Sequence, residues 1–216
     1  RGRGERPDPV ERMMRDCRIN LIFEGSSEIM RLFIAREAVD THLKVAGKLI
    51  DPKATLGDKA GALVKAGLFY AWWYPTRWLG WSFWPRYAEF GRNAKHMRFV
   101  QRNSGRLART IFHSMIRFGP KLEKRQAVLG RLVEIGAELL AMSATVSRAQ
   151  MLYRKDPKNT TPLELADLFC RQARRRVKDK FRDVWFNDDV RTYATARKVI
   201  DDQLEWLEAG IVERED

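Results

Sequence analysis

Glu24 is the residue whose surroundings point most directly to chemistry. Apolar Leu21, Ile22 and Phe23 precede it, and Gly25, Ser26 and Ser27 follow. Apolar neighbours desolvate a carboxylate and raise its pKa towards the range of a general base. The small residues after it stand where a long helix begins, and the N–H groups and dipole of a helix start favour a phosphate. A base beside a phosphate-binding helix start is one reading. A plain cap by Ser26 or Ser27, with Glu24 exposed, is the other, and on spacing alone it is the commoner arrangement.

The elements that must position this turn are helices. Asp8-Pro9-Val10-Glu11 has the order of a helix start, and that helix should run to about Cys17. After the turn, Ile29, Phe33, Ala35, Val39, Leu43 and Ala46 recur near the helical period, and Asp51-Pro52 should stop the helix around Ile50. Between Pro52 and Gly91 the pattern changes, and Pro75 and Pro85 should break any long helix.

Beyond Gly91 four amphipathic helices are predicted. Met97, Val100, Leu107, Ile111 and Met115 line the first, which ends near Gly119-Pro120. Leu122, Leu129, Leu132, Val133, Leu139 and Val146 line a longer one, to about Arg154. Small residues Gly136, Ala137, Ala141 and Ala144 on it would admit a close neighbour. Thr161-Pro162-Leu163-Glu164 reads as a capping box, with Leu165, Phe169, Ala173, Val177 and Phe181 as the inward stripe. The last helix should turn Tyr193, Ile200, Leu204 and Leu207 inward and stop at Gly210. Short loops make this an antiparallel bundle. The chain therefore divides into residues 1–50, an aromatic-rich connector 51–91 and a helical domain 92–216, all-α throughout.

Pro9-Val10-Glu11-Arg12, Arg15-Asp16-Cys17-Arg18-Ile19, Ile22-Phe23-Glu24-Gly25-Ser26-Ser27-Glu28-Ile29, Arg31 and Ala35-Arg36-Glu37 together resemble the C-terminal signature of the acyl-CoA dehydrogenases. The resemblance implies that residues 1–50 end that family's C-terminal helical bundle. Residues 51–216, running on past the point where short- and medium-chain members stop, resemble the extra helical domain of the long- and very-long-chain type. It implies FAD as cofactor, with Gly25, Ser26 and Glu28 near it. It also implies Glu24 as the base that removes the α-proton of a long-chain acyl-CoA, while flavin N5 takes the β-hydride, leaving a trans-2-enoyl-CoA in fatty acid β-oxidation. Arg15, Asp16 and Arg18 are expected to shape the helix-to-turn corner through ion pairs. The expected partners are an electron-transferring flavoprotein, the N-terminal part of the same enzyme and a second subunit in a homodimer. The flavin-binding domains are not among these residues, so the chain alone is expected to be inactive. A non-catalytic remnant serving as a membrane or protein interaction module is the alternative.

Five of the seven tryptophans fall between Trp72 and Trp84: Trp72, Trp73, Trp78, Trp81 and Trp84. Tryptophan favours the bilayer headgroup region, and Lys59, Lys65, Arg77, Arg86 and Arg92 nearby add attraction to anionic lipid. The two readings are docking on a membrane surface and packing against the catalytic core or a dimer partner. In a bacterium the expected place is the cytoplasm, peripheral on the inner face of the membrane.

The net charge of +13 suits nucleic acid, anionic lipid or a coenzyme A ester. Base stacking would explain the charge but not the Glu24 turn, so nucleic acid is not expected as a partner. The run Arg171, Arg174, Arg175, Arg176 and Lys178 reads as a solvated face. Three histidines and two distant cysteines in no ligand spacing argue against zinc and against a disulfide framework. His96 and His113 should be partly buried, and Cys170 should lie in the core. No apolar run reaches the ~20 residues of a membrane span. The first residues lack a signal-peptide core, and a start without methionine suggests a piece of something longer.

Overall fold

The computed structural model describes residues 9–22, 26–51, 53–78 and 87–207. Among them lie seven α-helices and no strand: α1 (Val10–Arg18), α2 (Ser27–Ile50), α3 (Leu56–Trp78), α4 (Ala94–Phe118), α5 (Gln126–Lys155), α6 (Thr161–Asp183) and α7 (Asp189–Ile200). The all-α expectation is met.

α5 is the central helix, because it buries residues on more than one side. Ile135, Met142 and Val146 are fully buried, at helical spacing with Val128, Leu132 and Leu139. α6 returns antiparallel to it, as the Glu138–Arg176 and Glu134–Lys180 pairs show. α4 packs on the other flank, where Leu107 faces Gly136. Met97, Val100, Leu107, Ile111 and Met115 all pack partly buried on this core, as their spacing predicts. α4 and α6 run parallel, since His96 meets Asp167 and the Arg106 guanidinium covers the Phe181 ring.

α2 and α3 form a second antiparallel pair on the flank of the bundle. Ala35 enters the main core, Lys48 pairs with Asp58 near the connection, and His42 meets Tyr70 further along. α3 then lies against α4 through Tyr74–His113 and the Arg109 guanidinium on the Arg77 carbonyl. Gly105 makes that approach possible. A Cβ there would sit 3.0 Å from the Arg77 carbonyl oxygen.

Several boundaries fall where turn chemistry puts them. α2 ends at Ile50 with Asp51 as cap, and α4 ends at Phe118 before Gly119, whose φ of +50° suits glycine. Other expectations need correction. α3 runs through Pro75: a proline three residues from a helix end forfeits one backbone bond, and packing on α2 and α4 outweighs that loss. The cap of α6 is Thr160, one residue earlier than expected, and its hydroxyl donates to Glu164 at 2.9 Å. Leu165 is exposed, and the buried stripe of α6 runs Leu163, Ala166, Cys170, Ala173, Val177 and Phe181. Ala137 and Ala144 face solvent rather than a close neighbour.

α7 departs furthest from expectation. None of its residues is buried, and Tyr193, Ile200 and Leu207 are exposed, with Leu204 only half-buried. The helix ends at Ile200, before Asp202 takes a positive φ, and Gly210 lies outside the described residues.

Candidate active-site edge at the start of helix α2

α1 leads into the turn without burying a residue. Its surface is laced by Glu11–Arg15 and Arg12–Asp16 pairs within the helix, so Arg15 and Asp16 stiffen α1. A single 3-10 turn over Ile19–Leu21 follows, closed by the Ile22 N–H on the Ile19 carbonyl. Glu24 and Gly25 lie outside the described residues.

The chain resumes at Ser26, the cap of α2. Its Oγ accepts from the Ile29 N–H at 3.4 Å and its carbonyl accepts from the Met30 N–H at 3.0 Å. Accepting that bond leaves the hydroxyl proton free to donate, so Ser26 could also serve an anion such as a phosphate at this helix start. Glu28 sits exposed in the first turn. There its charge complements the helix dipole, and its carboxylate can only accept hydrogen bonds.

α2 is held on the bundle by three kinds of contact. Leu32 and Ala35 pack into the main core. Arg31 Nη2 reaches Glu134 Oε1 at 3.1 Å, and the same carboxylate takes Lys180 Nζ. A 24-residue helix, about 36 Å long, needs a second anchor, and His42 supplies it. His42 is buried, shares a 2.9 Å hydrogen bond with the Tyr70 hydroxyl, and has the Trp73 ring edge-on at 4.9 Å. Burial pulls the His42 pKa down and pushes that of Tyr70 up, so both stay neutral at physiological pH. None of these polar partners is legible in the sequence, because they lie 28 residues (Tyr70 from His42) and 103 residues (Glu134 from Arg31) away along the chain.

The outward side of this segment is apolar. Met13, Met14, Ile22, Ile29, Phe33 and Ile34 are each about half exposed or more. Two concavities lie away from this segment: about 820 Å³ between α5 and α6 beside Arg148, Leu165 and Phe169, and about 450 Å³ beside Phe90 and Met151.

The tryptophans divide. Trp73 packs inward among His42, Phe69 and Phe112. Trp72 points out, 78% exposed, on one side of α3 with Val64 and Leu68. Trp78 is 60% exposed beneath the Arg109 guanidinium, which is 3.9 Å from the ring. Trp81 and Trp84 lie outside the described residues. No helix among the described residues is long and apolar enough to cross a membrane, and none of their His, Cys, Asp or Glu residues cluster as a metal site.

A capped helix clamped onto an antiparallel helical bundle, with an apolar flank left open, is a helical module with a face free to meet another surface. Comparison gives the family. Residues 92–206 match the ACAD9/ACADV C-terminal domain, and residues 2–39 match the acyl-CoA dehydrogenase C-terminal domain. The chain belongs to the acyl-CoA dehydrogenase family. It is 50% identical over 214 residues to the probable acyl-CoA dehydrogenase FadE10 of Mycobacterium bovis, and equally to that of two strains of Mycobacterium tuberculosis. The match takes in 98% of this chain and spans 33% of the length of those relatives.

Proposed function

We propose that the chain is the C-terminal part of a FAD-dependent acyl-CoA dehydrogenase that oxidises long-chain acyl-CoA to the trans-2-enoyl-CoA, with Glu24 as the α-proton base. The observation carrying this is the placement of Ser26. It caps a long helix fixed to the bundle two residues after Glu24, within a segment that matches the family's C-terminal domain. Bound FAD would supply the hydride acceptor. Ser26 would donate to its phosphate, Gly25 would allow close approach, and Glu28 would accept a hydrogen bond from its polar periphery. Glu24, following Leu21, Ile22 and Phe23, would take the α-proton from a desolvated carboxylate. The open apolar side of α1 and α2 would be covered by the remaining two-thirds of the enzyme. An electron-transferring flavoprotein would reoxidise the cofactor, and a homodimer is the expected assembly.

The test uses the full-length enzyme loaded with FAD and mixed with a long-chain acyl-CoA. The wild-type flavin absorbance should bleach. Glu24→Gln should keep FAD and lose the bleaching. Normal bleaching in Glu24→Gln would remove Glu24 from the role.

A membrane-surface role for α3 is supported by one separate observation. Val64, Leu68 and Trp72 make an exposed apolar side, with Lys65 and Arg77 exposed nearby. Such a helix can lie in the headgroup region of an anionic bilayer.

A further inference from the structure

The carboxylate of Glu134 joins three helices. One oxygen takes Arg31 of α2 and the other takes Lys180 of α6. The three side chains are 42%, 30% and 28% exposed, so the network is shielded more than an ordinary surface pair. Among the described residues it is the ion pair through which α2 reaches the bundle. The apolar contacts beside it, Leu32 and Ala35, are non-directional and tolerate a small rotation or slide. A guanidinium on a carboxylate is directional. Arg31 lies five residues beyond the Ser26 cap, about 7.5 Å along the helix axis.

We infer that Glu134, held by Lys180, is a positioning residue: through Arg31 it fixes the rotation and register of α2 on the C-terminal bundle, and with them the Ser26 start of α2, two residues after Glu24 in the sequence. The inference rests on the reading of Glu24 as the base. It gives the extra bundle a part in the chemistry of the core, since two of the three charges are contributed by α5 and α6. A neighbouring pair supplies the control. Glu138 and Arg176 join α5 to α6 one turn away, with no ion pair or hydrogen bond to α2 among the described residues.

The experiment measures flavin reduction in the FAD-loaded full-length enzyme, using a long-chain acyl-CoA with and without deuterium at the α-carbon. Glu134→Gln should slow reduction about tenfold through misplacement of the base, with a larger isotope effect and unchanged FAD content and KM. Arg31→Met should do the same, and the double variant should be no slower than either alone. Glu138→Gln should stay within about twofold of wild type, as a pair remote from α2 would. Should Glu134→Gln fail to fold, Lys180→Met, which frees Glu134 without uncovering Arg31, should slow reduction about threefold with the same isotope signature. Unchanged rate and isotope effect, or equal slowing in Glu138→Gln, would overturn the positioning role. The base assignment would still stand, provided Glu24→Gln measured alongside abolishes reduction. Normal reduction in Glu24→Gln would overturn both.

Discussion

His96 Nε2 lies 2.8 Å from Asp167 Oδ1, which ties the first turn of α4 to the second turn of α6. The same carboxylate takes Lys95 Nζ and Arg171 Nε, each at 2.7 Å, while the His96 side chain is wholly buried. Burial lowers the His96 pKa, more than Asp167 beside it can restore. Burial would raise the Asp167 pKa, but hydrogen bonds from Lys95, His96 and Arg171 hold it well below the usual carboxylate range.

Both shifts make the fold sensitive to acid. A histidine kept neutral in the fold binds protons better when unfolded, so its contribution is intact above about pH 6.5 and fades as pH falls through that value. Asp167 contributes fully above about pH 4, and its share is lost as pH drops further. The urea midpoint should therefore decline between pH 7 and 5 and again below about pH 4. His96→Gln should reduce the first decline and leave the share of His42, whose pKa burial also lowers. Asp167→Asn should cost about 1–2 kcal/mol at pH 7, because buried His96 loses its charged acceptor while the exposed Lys95 and Arg171 can turn to water.

The two cysteines should separate cleanly in a thiol titration. Cys17 is exposed on α1, whereas Cys170 is fully buried and its thiol is pushed up to about 11, by burial first and then by Asp167. One thiol should react in native protein at pH 8, and the second only in denaturant. Loss of the fast reaction in Cys17→Ser would settle the assignment, and two fast thiols in the native protein would contradict the burial of Cys170.

That Cys170 belongs to the core is legible from its place on an apolar helix face. Its coupling to Asp167 is not. Breaks at Asp51-Pro52, Gly119-Pro120 and Asp156-Pro157 are local chemistry, so the ends of α2, α4 and α5 can be read from sequence. Choices between adjacent candidates cannot. Thr160 and Thr161 can each cap, and Leu163 and Leu165 can each face inward; the packing of α6 on α5 decides both. Pro75 shows tertiary packing overriding a breaker. Of the candidate site, the Ser26 cap was legible, while the ties that hold α2, Arg31–Glu134 and His42–Tyr70, depend on contacts between distant residues. The described residues do not include Glu24 itself.

α7 should detach on loss of a single carboxylate. Its half-buried anchor is the Arg131 fork on Asp189, with both nitrogen–oxygen distances at 2.6 Å, and Val190, Tyr193 and Ile200 beyond it are exposed. Asp189→Asn should speed amide exchange across residues 190–200 by about tenfold or more, while α5 and α6 keep their protection. Loss of about 1–2 kcal/mol of local stability from one half-buried bidentate pair accounts for that change. Equal protection in the variant would mean that apolar contacts hold α7 after all.

Trp72 and Trp73 are adjacent, and the fold assigns them opposite consequences. Trp73 packs on His42 and Phe112, joining α2, α3 and α4, so Trp73→Ser should lower stability by about 3 kcal/mol in urea unfolding. Trp72 touches solvent over most of its surface, so Trp72→Ser should leave stability within about 0.5 kcal/mol. If α3 lies on a bilayer, the same Trp72→Ser should weaken sedimentation with anionic vesicles, because the side chain beside Leu68 and Val64 is the largest apolar group offered to lipid. High salt should weaken it further by screening Lys65 and Arg77. A stable Trp72→Ser protein that sediments like wild type would instead assign the exposed side of α3 to a protein contact, with the rest of the proposed full-length enzyme or a second subunit as the partner to test by cross-linking at position 72.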